Sequence, residues 1–427
     1  MFIGWLTCIP AVLLPHSPCR FTTANAPANR QMPIASVVST NTKKNKETDI
    51  LQKIILNVDF QKLFNNTMKI TEFIKDDLFN LPKNQTERED YKRFVFKTFD
   101  TYLEKLNELS VENRSFEDIH FSFNSIISRQ NHLIKYIKQS LNDYYDGKPA
   151  KAYDSLIKGL NSNLKNFDEL LNVRTFQKGD DFYRIRIHKA NFPLSSEDFF
   201  HIPYNLRGKV KTQRFSIPGF PSLYLGTTIY VCWEELNRPN INDFQAVRLN
   251  AVEPLKIIDL SPPQKDEEDP YLLYKFLMIW PLIFSSSVKV RNYEDEFKPE
   301  YIIPQLLLQW VRERAEIDGI CYQTTHIDFS NTLSEGEFLN VVLPVKENKS
   351  RGLCNSLKQK FEMTDSTSIQ LNQCSTGGMT FISGDDETLR MKIKKIELIK
   401  DRTSPYSYSL FGDLESVLTS MKSKKIK

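Results

Sequence analysis

Two arginines, a tyrosine and a glutamate lie within one short segment of the chain, as Arg184, Arg214, Tyr224 and Glu235. Arginine presents a rigid planar fork that binds phosphate or carboxylate. Tyrosine can stack on a planar ring and also form a hydrogen bond, and a carboxylate can stabilise a developing cation or hold a sugar hydroxyl. Together these residue types predict an anionic ligand with a polarised bond. An Arg–Glu pair can equally be a structural salt bridge, and this alternative stays open.

The sequence around these residues resembles the RES domain, which is the toxin half of a class of bacterial toxin–antitoxin systems. The run QRFSIPGFPSLYLGTTIYVCWEEL carries the resemblance, together with FYRIR before it and PQLLLQWV and DGICY after it. Tyr224 follows Arg214 by ten residues and Glu235 follows it by 21, as in the central motif of the family. The Tyr183–Arg184 pair matches an earlier pair of the family. The resemblance covers roughly residues 180–345.

The resemblance implies an enzyme that degrades NAD. Members of the family cleave the bond between nicotinamide and ribose with water or with inorganic phosphate, in a domain similar to the ADP-ribosyltransferase fold. No cofactor is implied, because NAD is the substrate, and inorganic phosphate is a co-substrate only where it replaces water as the acceptor. The implied role is a toxin that stops growth by emptying the NAD pool. An antitoxin protein and a second copy of the chain are the candidate protein partners.

The resemblance also implies a role for each matched residue. Glu235 is expected to stabilise an oxocarbenium-like ribose through a ribose hydroxyl, and its neighbour Glu234 is the alternative carboxylate. Arg184 and Arg214 are expected to hold the pyrophosphate, and Tyr224 to lie beside the nicotinamide. The attraction between a carboxylate and a cation about 4 Å apart rises from about 1 kcal/mol in water to about 4 kcal/mol at an effective dielectric of 20. Exclusion of water would therefore strengthen the contribution of the glutamate.

The family serine is the point at which this sequence departs from the pattern. Gln305 matches a glutamine that opens a helix in the family, but the residues just before it, 300–303, contain no serine. Ser287 lies earlier and Thr324–Thr325 lie later; Ser287, Gln305 and Tyr183 are retained as candidates for substrate binding. The departure leaves two alternatives. One is transfer of ADP-ribose to an acceptor, and the other is a degenerate domain that binds a nucleotide or a partner without turnover.

Composition and motifs exclude other classes of protein. The 57 Lys+Arg and 53 Asp+Glu give a formal net charge of +4 over 427 residues, which does not predict a nucleic-acid partner. The six cysteines and six histidines are dispersed and no C-x-x-C motif occurs, so no metal site is expected. No G-x-G-x-x-G fingerprint is present, so NAD is not expected as a Rossmann-bound cofactor.

Hydrophobic patterning divides the chain after residue 48 into three regions. Apolar residues recur at three- and four-residue spacing within 49–172, which predicts an all-helical accessory domain. Short alternating runs and a helical run within 173–345 predict the mixed, RES-like catalytic domain. Residues 346–427 are predicted to contain an irregular insertion, a late edge strand and a basic tail. The combined pattern predicts an α+β fold.

Residues 1–48 are predicted to be a disordered leader and linker. The apolar segment Phe2–Leu14 is shorter than a typical membrane span of about 20 residues, and no lysine or arginine precedes it. We therefore expect a cytoplasmic protein without a membrane partner. Secretion through this apolar segment is the alternative.

Overall fold

A computed structural model describes seven stretches of the chain, which are residues 68–86, 89–112, 115–161, 171–189, 192–264, 267–376 and 392–426. The predicted leader at 1–48, with its apolar segment, lies outside the described residues, as does the beginning of the predicted helical domain at 49–67. All of the described stretches belong to one unit of the chain, Phe64–Lys427.

Helices dominate the described part of the chain before residue 162, as the apolar stripes predict. The Ser122 side chain accepts a hydrogen bond from the Ser125 amide at the beginning of one helix, and Pro149 lies in the first turn of the next. The four helices in these described residues are α1 (Ile70–Phe73), α2 (Tyr91–Glu112), α3 (Phe123–Tyr145) and α4 (Pro149–Leu160).

Strands and helices alternate in the described part of the chain after residue 170. The helices there are α5 (Ile229–Glu235), α6 (Pro270–Ser287), α7 (Ile302–Arg312), α8 (Asn355–Lys358), α9 (Ile369–Thr376) and α10 (Leu410–Ser420). The strands are β1 (Val173–Phe176), β2 (Asp181–Ile187), β3 (Ser222–Gly226), β4 (Phe244–Ala251), β5 (Leu255–Asp259), β6 (Gly319–Gln323), β7 (Glu335–Gly336), β8 (Leu339–Pro344), β9 (Phe361–Met363), β10 (Ile393–Ile399), β11 (Arg402–Pro405) and β12 (Lys424–Lys425).

The described strands form a large sheet and a small one. The large sheet has the order β1-β5-β6-β8-β3-β2-β4-β9-β12, and the small sheet has the order β11-β10-β7. Neighbouring strands are antiparallel except for the parallel pair β5 and β6. A mostly antiparallel sheet combined with separate helices is the α+β class. The predicted fold class is therefore confirmed.

Helix α6 joins the amino-terminal helices to the sheet. It is predominantly apolar and, apart from the half-buried Lys275, buried from Leu273 onward, as expected for a helix in the centre of a core. Pro281 has no N–H, so it leaves the Leu277 carbonyl without its helical donor. The Tyr102 hydroxyl of α2 donates to that carbonyl at 3.0 Å. One core contains residues of α1 to α4, α6, α7 and the sheet, and the domain boundary predicted at residue 172 stays a prediction.

The two faces of the large sheet cover different cores. Leu223 and Leu225 of β3 and Phe182 of β2 belong to a second core, whereas Tyr224 packs against the core around α6. Successive side chains of a strand point to opposite faces. Arg184 therefore leaves its strand on the face of Phe182, which is opposite to the face from which Tyr224 projects.

The described residues after 345 are more regular than the sequence analysis predicts. Strand β10 confirms the late strand, but its predicted edge position is wrong because β10 pairs with both β11 and β7. Helix α10 begins where the Ser409 side chain accepts a hydrogen bond from the Gly412 amide. Lys424 and Lys425, in the predicted basic tail, pair with β9. These two residues therefore form an edge strand of the large sheet.

Candidate functional site

Arg214 is buried in the loop before β3, and its guanidinium is held by neutral groups. Nη1 donates to the carbonyls of Ser286 and Val288, each at 3.0 Å, at the carboxyl end of α6. Nη2 donates to the Thr325 hydroxyl at 3.1 Å, and the Tyr301 ring lies under the guanidinium with its centroid at 5.3 Å. Among the described residues no carboxylate forms an ion pair with Arg214. The site therefore contains a buried positive charge that is oriented by dipoles.

Glu235 is the last residue of α5, and its carboxylate is hydrogen-bonded on one oxygen. Oε1 accepts from the Thr324 hydroxyl at 2.6 Å and from the Asn340 amide at 2.7 Å. Oε2 lies 3.8 Å from His326 Nε2, and the side chain is 27% exposed. Gly226 allows α5 to approach β3 this closely, because a Cβ there would lie 2.6 Å from Cys232 Sγ.

Glu234, the neighbouring glutamate, has a different environment. Its side chain is 2% exposed and forms a salt bridge to Arg238, with Oε2 2.9 Å from Nε and Oε1 2.9 Å from Nη2. Adjacent residues of a helix point in different directions. Glu235 is therefore the glutamate that the structure brings to Arg214, and Glu234 closes the end of its helix by a local ion pair.

The threonine loop, which we define as Thr324, Thr325 and His326, connects the arginine to the glutamate. Thr324 contacts Glu235, and the next residue contacts Arg214. The loop is held by the Thr324 amide, which donates to the Phe338 carbonyl at 3.0 Å. Both threonine side chains are buried. One fixed loop therefore sets the relative positions of the two opposite charges.

Tyr224 projects from β3 towards the same place. Its hydroxyl donates to the Phe215 carbonyl, next to Arg214. Burial raises the pKa of Tyr224 well above its usual value, with the charge on Glu235 adding to the shift and Arg214 opposing it. The phenol is therefore neutral at physiological pH and lies within the electrostatic reach of both charged groups. We call Arg214, Tyr224, Glu235 and the threonine loop the Arg–Glu cluster.

Two aromatic rings lie beside the Arg–Glu cluster, the exposed Tyr293 and the buried Tyr301. Tyr293 is 46% exposed, and its ring centroid lies 5.7 Å from that of His326. Burial raises the pKa of Tyr301 to about 12, while the Arg214 charge opposes the shift. These rings offer flat apolar surfaces next to a carboxylate and a guanidinium. Such a combination suits a planar ring joined to a sugar.

Two of the predicted substrate-binding residues lie behind the Arg–Glu cluster. Gln305 donates from Nε2 to the Gln213 carbonyl at 3.2 Å, and so supports the loop that carries Arg214. Ser287 is buried at the last position of α6, between the two residues whose carbonyls bind the Arg214 guanidinium. Both residues are therefore placed to position Arg214.

The other two predicted substrate-binding residues lie on β2. Tyr183 is buried in a third core, and burial raises its pKa well above the usual value, with Glu415 of α10 adding to the shift. Arg184 is partly buried, and its Nη1 has no hydrogen-bond partner among the described residues. No described hydrogen bond connects either side chain to the Arg–Glu cluster.

Sequence reasoning named Thr324 and Thr325 without a role and did not find Asn340, Tyr293 or Tyr301. Thr324 and Thr325 follow β6, Asn340 lies in β8, Tyr301 directly precedes α7 and Tyr293 lies between α6 and α7, so all of them are far along the chain from Arg214 and Glu235. Short local motifs carry no signal for such contacts. The absence of the family serine is a sequence signal for these two threonines, because it indicates that other hydroxyl groups should be considered.

The described residues contain neither a metal-binding cluster nor a helix that could span a membrane. Within these stretches no group of three or more His, Cys, Asp and Glu side chains is arranged to hold a metal ion. None of the helices among them has the length and apolar character that crossing a membrane requires.

Comparison with known proteins identifies a relative. The chain is 34% identical over 349 residues to a protein of Bacillus subtilis (strain 168) named "Putative toxin YopC", and the match covers 77% of this chain and 75% of the relative. The chain belongs to the YopC family. No protein-family model and no solved structure matches the chain. The relative establishes membership of the YopC family. It does not establish that the chain contains a RES domain.

Proposed function

We propose that the protein cleaves NAD between nicotinamide and ribose, and that the Arg–Glu cluster is the site of cleavage. The observation that carries the proposal is the convergence of Arg214 and Glu235 on consecutive residues of the threonine loop. A cation, a phenol and a carboxylate around one site suit a ligand with a negative diphosphate and a positive ring. NAD has both features.

Glu235 is the group that we propose stabilises the reacting ribose. Thr324 and Asn340 occupy Oε1, so the carboxylate has a fixed orientation. Oε2 is bound by no described donor at hydrogen-bond distance, since His326 Nε2 is 3.8 Å away. That oxygen is therefore available to a ribose hydroxyl. A carboxylate already in position needs no reorganisation as positive charge develops on the sugar.

The bond changes in this reaction need no protein nucleophile. The C–N glycosyl bond breaks and both of its electrons leave with the nicotinamide, whose ring nitrogen thereby becomes neutral. The sugar carbon then accepts an oxygen from water, which gives ADP-ribose and a proton, or from inorganic phosphate, which gives the phosphorylated sugar. Positioning and fixed charges supply catalysis of this kind.

The likeness to other proteins supports the same proposal. The resemblance to the RES domain, and through it to the ADP-ribosyltransferase fold, rests on the spacing of Arg214, Tyr224 and Glu235. The relative in Bacillus subtilis is named as a toxin. We therefore propose that this protein is also a toxin, which arrests growth by consuming NAD and whose action an antitoxin protein would restrain.

The direct test is release of nicotinamide from NAD by the purified protein, with and without inorganic phosphate. Glu235→Gln keeps the size of the side chain but removes its charge, and it should lower the rate at least about 100-fold, the scale of losing one preorganised electrostatic group. Glu268→Gln makes the same chemical change at an exposed position and should leave the rate unchanged. Equal rates for the two variants would remove Glu235 from the mechanism.

The acceptor and the biological role have their own tests. NAD labelled in its adenosine part, incubated with lysate, should give free labelled ADP-ribose or its phosphate. Label on macromolecules would instead identify an ADP-ribosyltransferase. Induced expression of the wild type should arrest growth and lower cellular NAD, whereas Glu235→Gln should do neither. Growth arrest by the Gln variant at equal expression would contradict a toxin that acts by cleaving NAD.

A further inference from the structure

His326 lies beside the oxygen of Glu235 that has no donor at hydrogen-bond distance. Its Nε2 atom is 3.8 Å from Glu235 Oε2, and its side chain is 15% exposed. A polar contact longer than about 3.5 Å is often completed by a water molecule. A water oxygen about 2.8 Å from each of the two atoms spans this gap. The two side chains therefore form a seat for one water beside the carboxylate that we propose holds the ribose.

Thr324 fixes His326 and Glu235 relative to each other. The His326 amide donates to Thr324 Oγ1 at 3.2 Å, and the same hydroxyl donates to Glu235 Oε1 at 2.6 Å. A hydroxyl has one proton and two lone pairs, so it can form both bonds at once. The Tyr293 ring also packs against the imidazole, with the ring centroids 5.7 Å apart. The protein thus sets the separation between the imidazole and the carboxylate.

Both atoms that face the gap can accept a hydrogen bond. Oε2 of Glu235 has two lone pairs, which suffice for a ribose hydroxyl and a water. Neither ring nitrogen of His326 forms a hydrogen bond with another described residue. The proton of the neutral ring can therefore lie on Nδ1, which leaves Nε2 as an acceptor. A water between two acceptors donates both of its protons, so its lone pairs point away from them, as a nucleophile requires.

Hydrolysis of the glycosyl bond needs a base, because the attacking water must lose a proton. Glu235 is poorly suited to take that proton, since protonation would cancel the charge that stabilises the cationic ribose. An imidazole can take the proton while the carboxylate stays charged, and histidine is the side chain that most often serves as a general base. The imidazolium that forms then lies beside a carboxylate, which stabilises it.

We propose that His326 Nε2 takes the proton of the attacking water, and that water is the acceptor for which the site is built. This assignment rests on the proposed function and extends it to the second half of the reaction. The water oxygen bonds to the sugar carbon, one O–H bond breaks with its electrons staying on the oxygen, and the proton binds Nε2. The imidazolium later returns the proton to solvent. Phosphate attacks through an oxygen that carries no proton, so it does not need His326.

Competition between water and phosphate tests the role of His326. At a fixed phosphate concentration, the ratio of ADP-ribose to its phosphorylated form measures the choice of acceptor, whichever step limits the rate. His326→Gln should lower this ratio at least about 100-fold through loss of ADP-ribose, as expected from the loss of a general base. His120→Gln makes the same change at an exposed position before α3 and should leave the ratio at the wild-type value.

Azide provides a second measurement, which also decides the matter if the wild type does not use phosphate. Azide is an anionic nucleophile without a proton, so in phosphate-free buffer it should restore nicotinamide release by His326→Gln and give the glycosyl azide. His326→Asn is a second variant, and circular dichroism checks that both variants fold. Slow release that azide does not restore would mean that His326 is not the base, as would failure of both variants to fold.

The same products separate this assignment from the proposed function. If the wild type cleaves NAD and His326→Gln keeps the wild-type ratio, or loses the phosphorylated product instead, the role of His326 fails and the proposed function stands. A wild type that forms no ADP-ribose even without phosphate overturns the role of His326 in the same way. If the wild type releases no nicotinamide at all, the proposed function fails and the role of His326 falls with it.

Discussion

The two arginines that the sequence analysis expects to hold a pyrophosphate have opposite environments. Arg214 donates to two carbonyls and a hydroxyl, and a tyrosine ring lies under its guanidinium. Arg184 has a buried Nη1 with no described partner and lies close enough to Arg186 to be affected by its charge. The Arg214 guanidinium already has hydrogen-bond acceptors within the protein, whereas Nη1 of Arg184 has none among the described residues.

The two arginines thus represent two kinds of environment, one in which the donors already have acceptors and one in which a donor has none. In the Arg–Glu cluster, protein groups alone hold both charges, because α6 accepts from Arg214 and the threonine loop donates to Glu235. Arg184, Arg186 and His188, by contrast, each have a buried nitrogen without a hydrogen-bond partner among the described residues. The first arrangement stabilises the fold, whereas a buried donor without an acceptor costs stability. Substitutions in the two regions should therefore have opposite effects on stability.

Replacement of Arg214 should have the largest effect on stability. Arg214→Met leaves two buried carbonyls and the Thr325 hydroxyl without their donor, so we expect the free energy of unfolding to fall by about 3 kcal/mol. Urea unfolding followed by circular dichroism measures this change. An unchanged free energy of unfolding would show that these three contacts do not stabilise the folded chain.

Replacement of Thr324 should have an intermediate effect, on catalysis. Thr324→Val removes the hydroxyl that donates to Glu235 at 2.6 Å, and we expect kcat for nicotinamide release to fall about tenfold, equivalent to about 1.4 kcal/mol. Thr324→Ser retains the hydroxyl and should restore most of the activity. If the serine variant is as slow as the valine variant, the hydroxyl does not position the glutamate.

Replacement of Arg184 should have the smallest effect on stability, and with the opposite sign. Arg184→Met removes a buried charge that no described partner compensates, so the free energy of unfolding of the ligand-free protein should rise by about 1 kcal/mol. The same urea titration, run beside that of Arg214→Met, gives the comparison. A loss of stability as large as that at Arg214 would mean that Arg184 is a structural residue, contrary to this account.

The central motif was readable from the sequence because it is local. Arg214, Tyr224 and Glu235 lie within one loop–strand–helix unit, and their spacing carries the resemblance on its own. The choice between the two adjacent glutamates was not readable, because it depends on Arg238, whose positive φ of 54° turns the chain back onto Glu234. Asn340 was not readable either, because strand pairing across the sheet brings it to Glu235.

The fold class was predictable, but some elements were missed for identifiable reasons. Helix α6 is apolar on almost all sides, so it has no distinct amphipathic stripe. Helix α10 did have a signal, since Ser409 precedes apolar residues at helical spacing, and that signal was overlooked. The position of β10 within a sheet depends on two distant partners and has no local signature.

Mass spectrometry of the products formed from NAD is the most direct test of the central claim. The account predicts free nicotinamide, together with ADP-ribose in water or its phosphorylated form when phosphate is the acceptor, from the wild type and from Glu268→Gln. It predicts that Glu235→Gln forms these products at least about 100-fold more slowly. Intact NAD after prolonged incubation with the wild type, or cleavage at the diphosphate to give two mononucleotides, would contradict it.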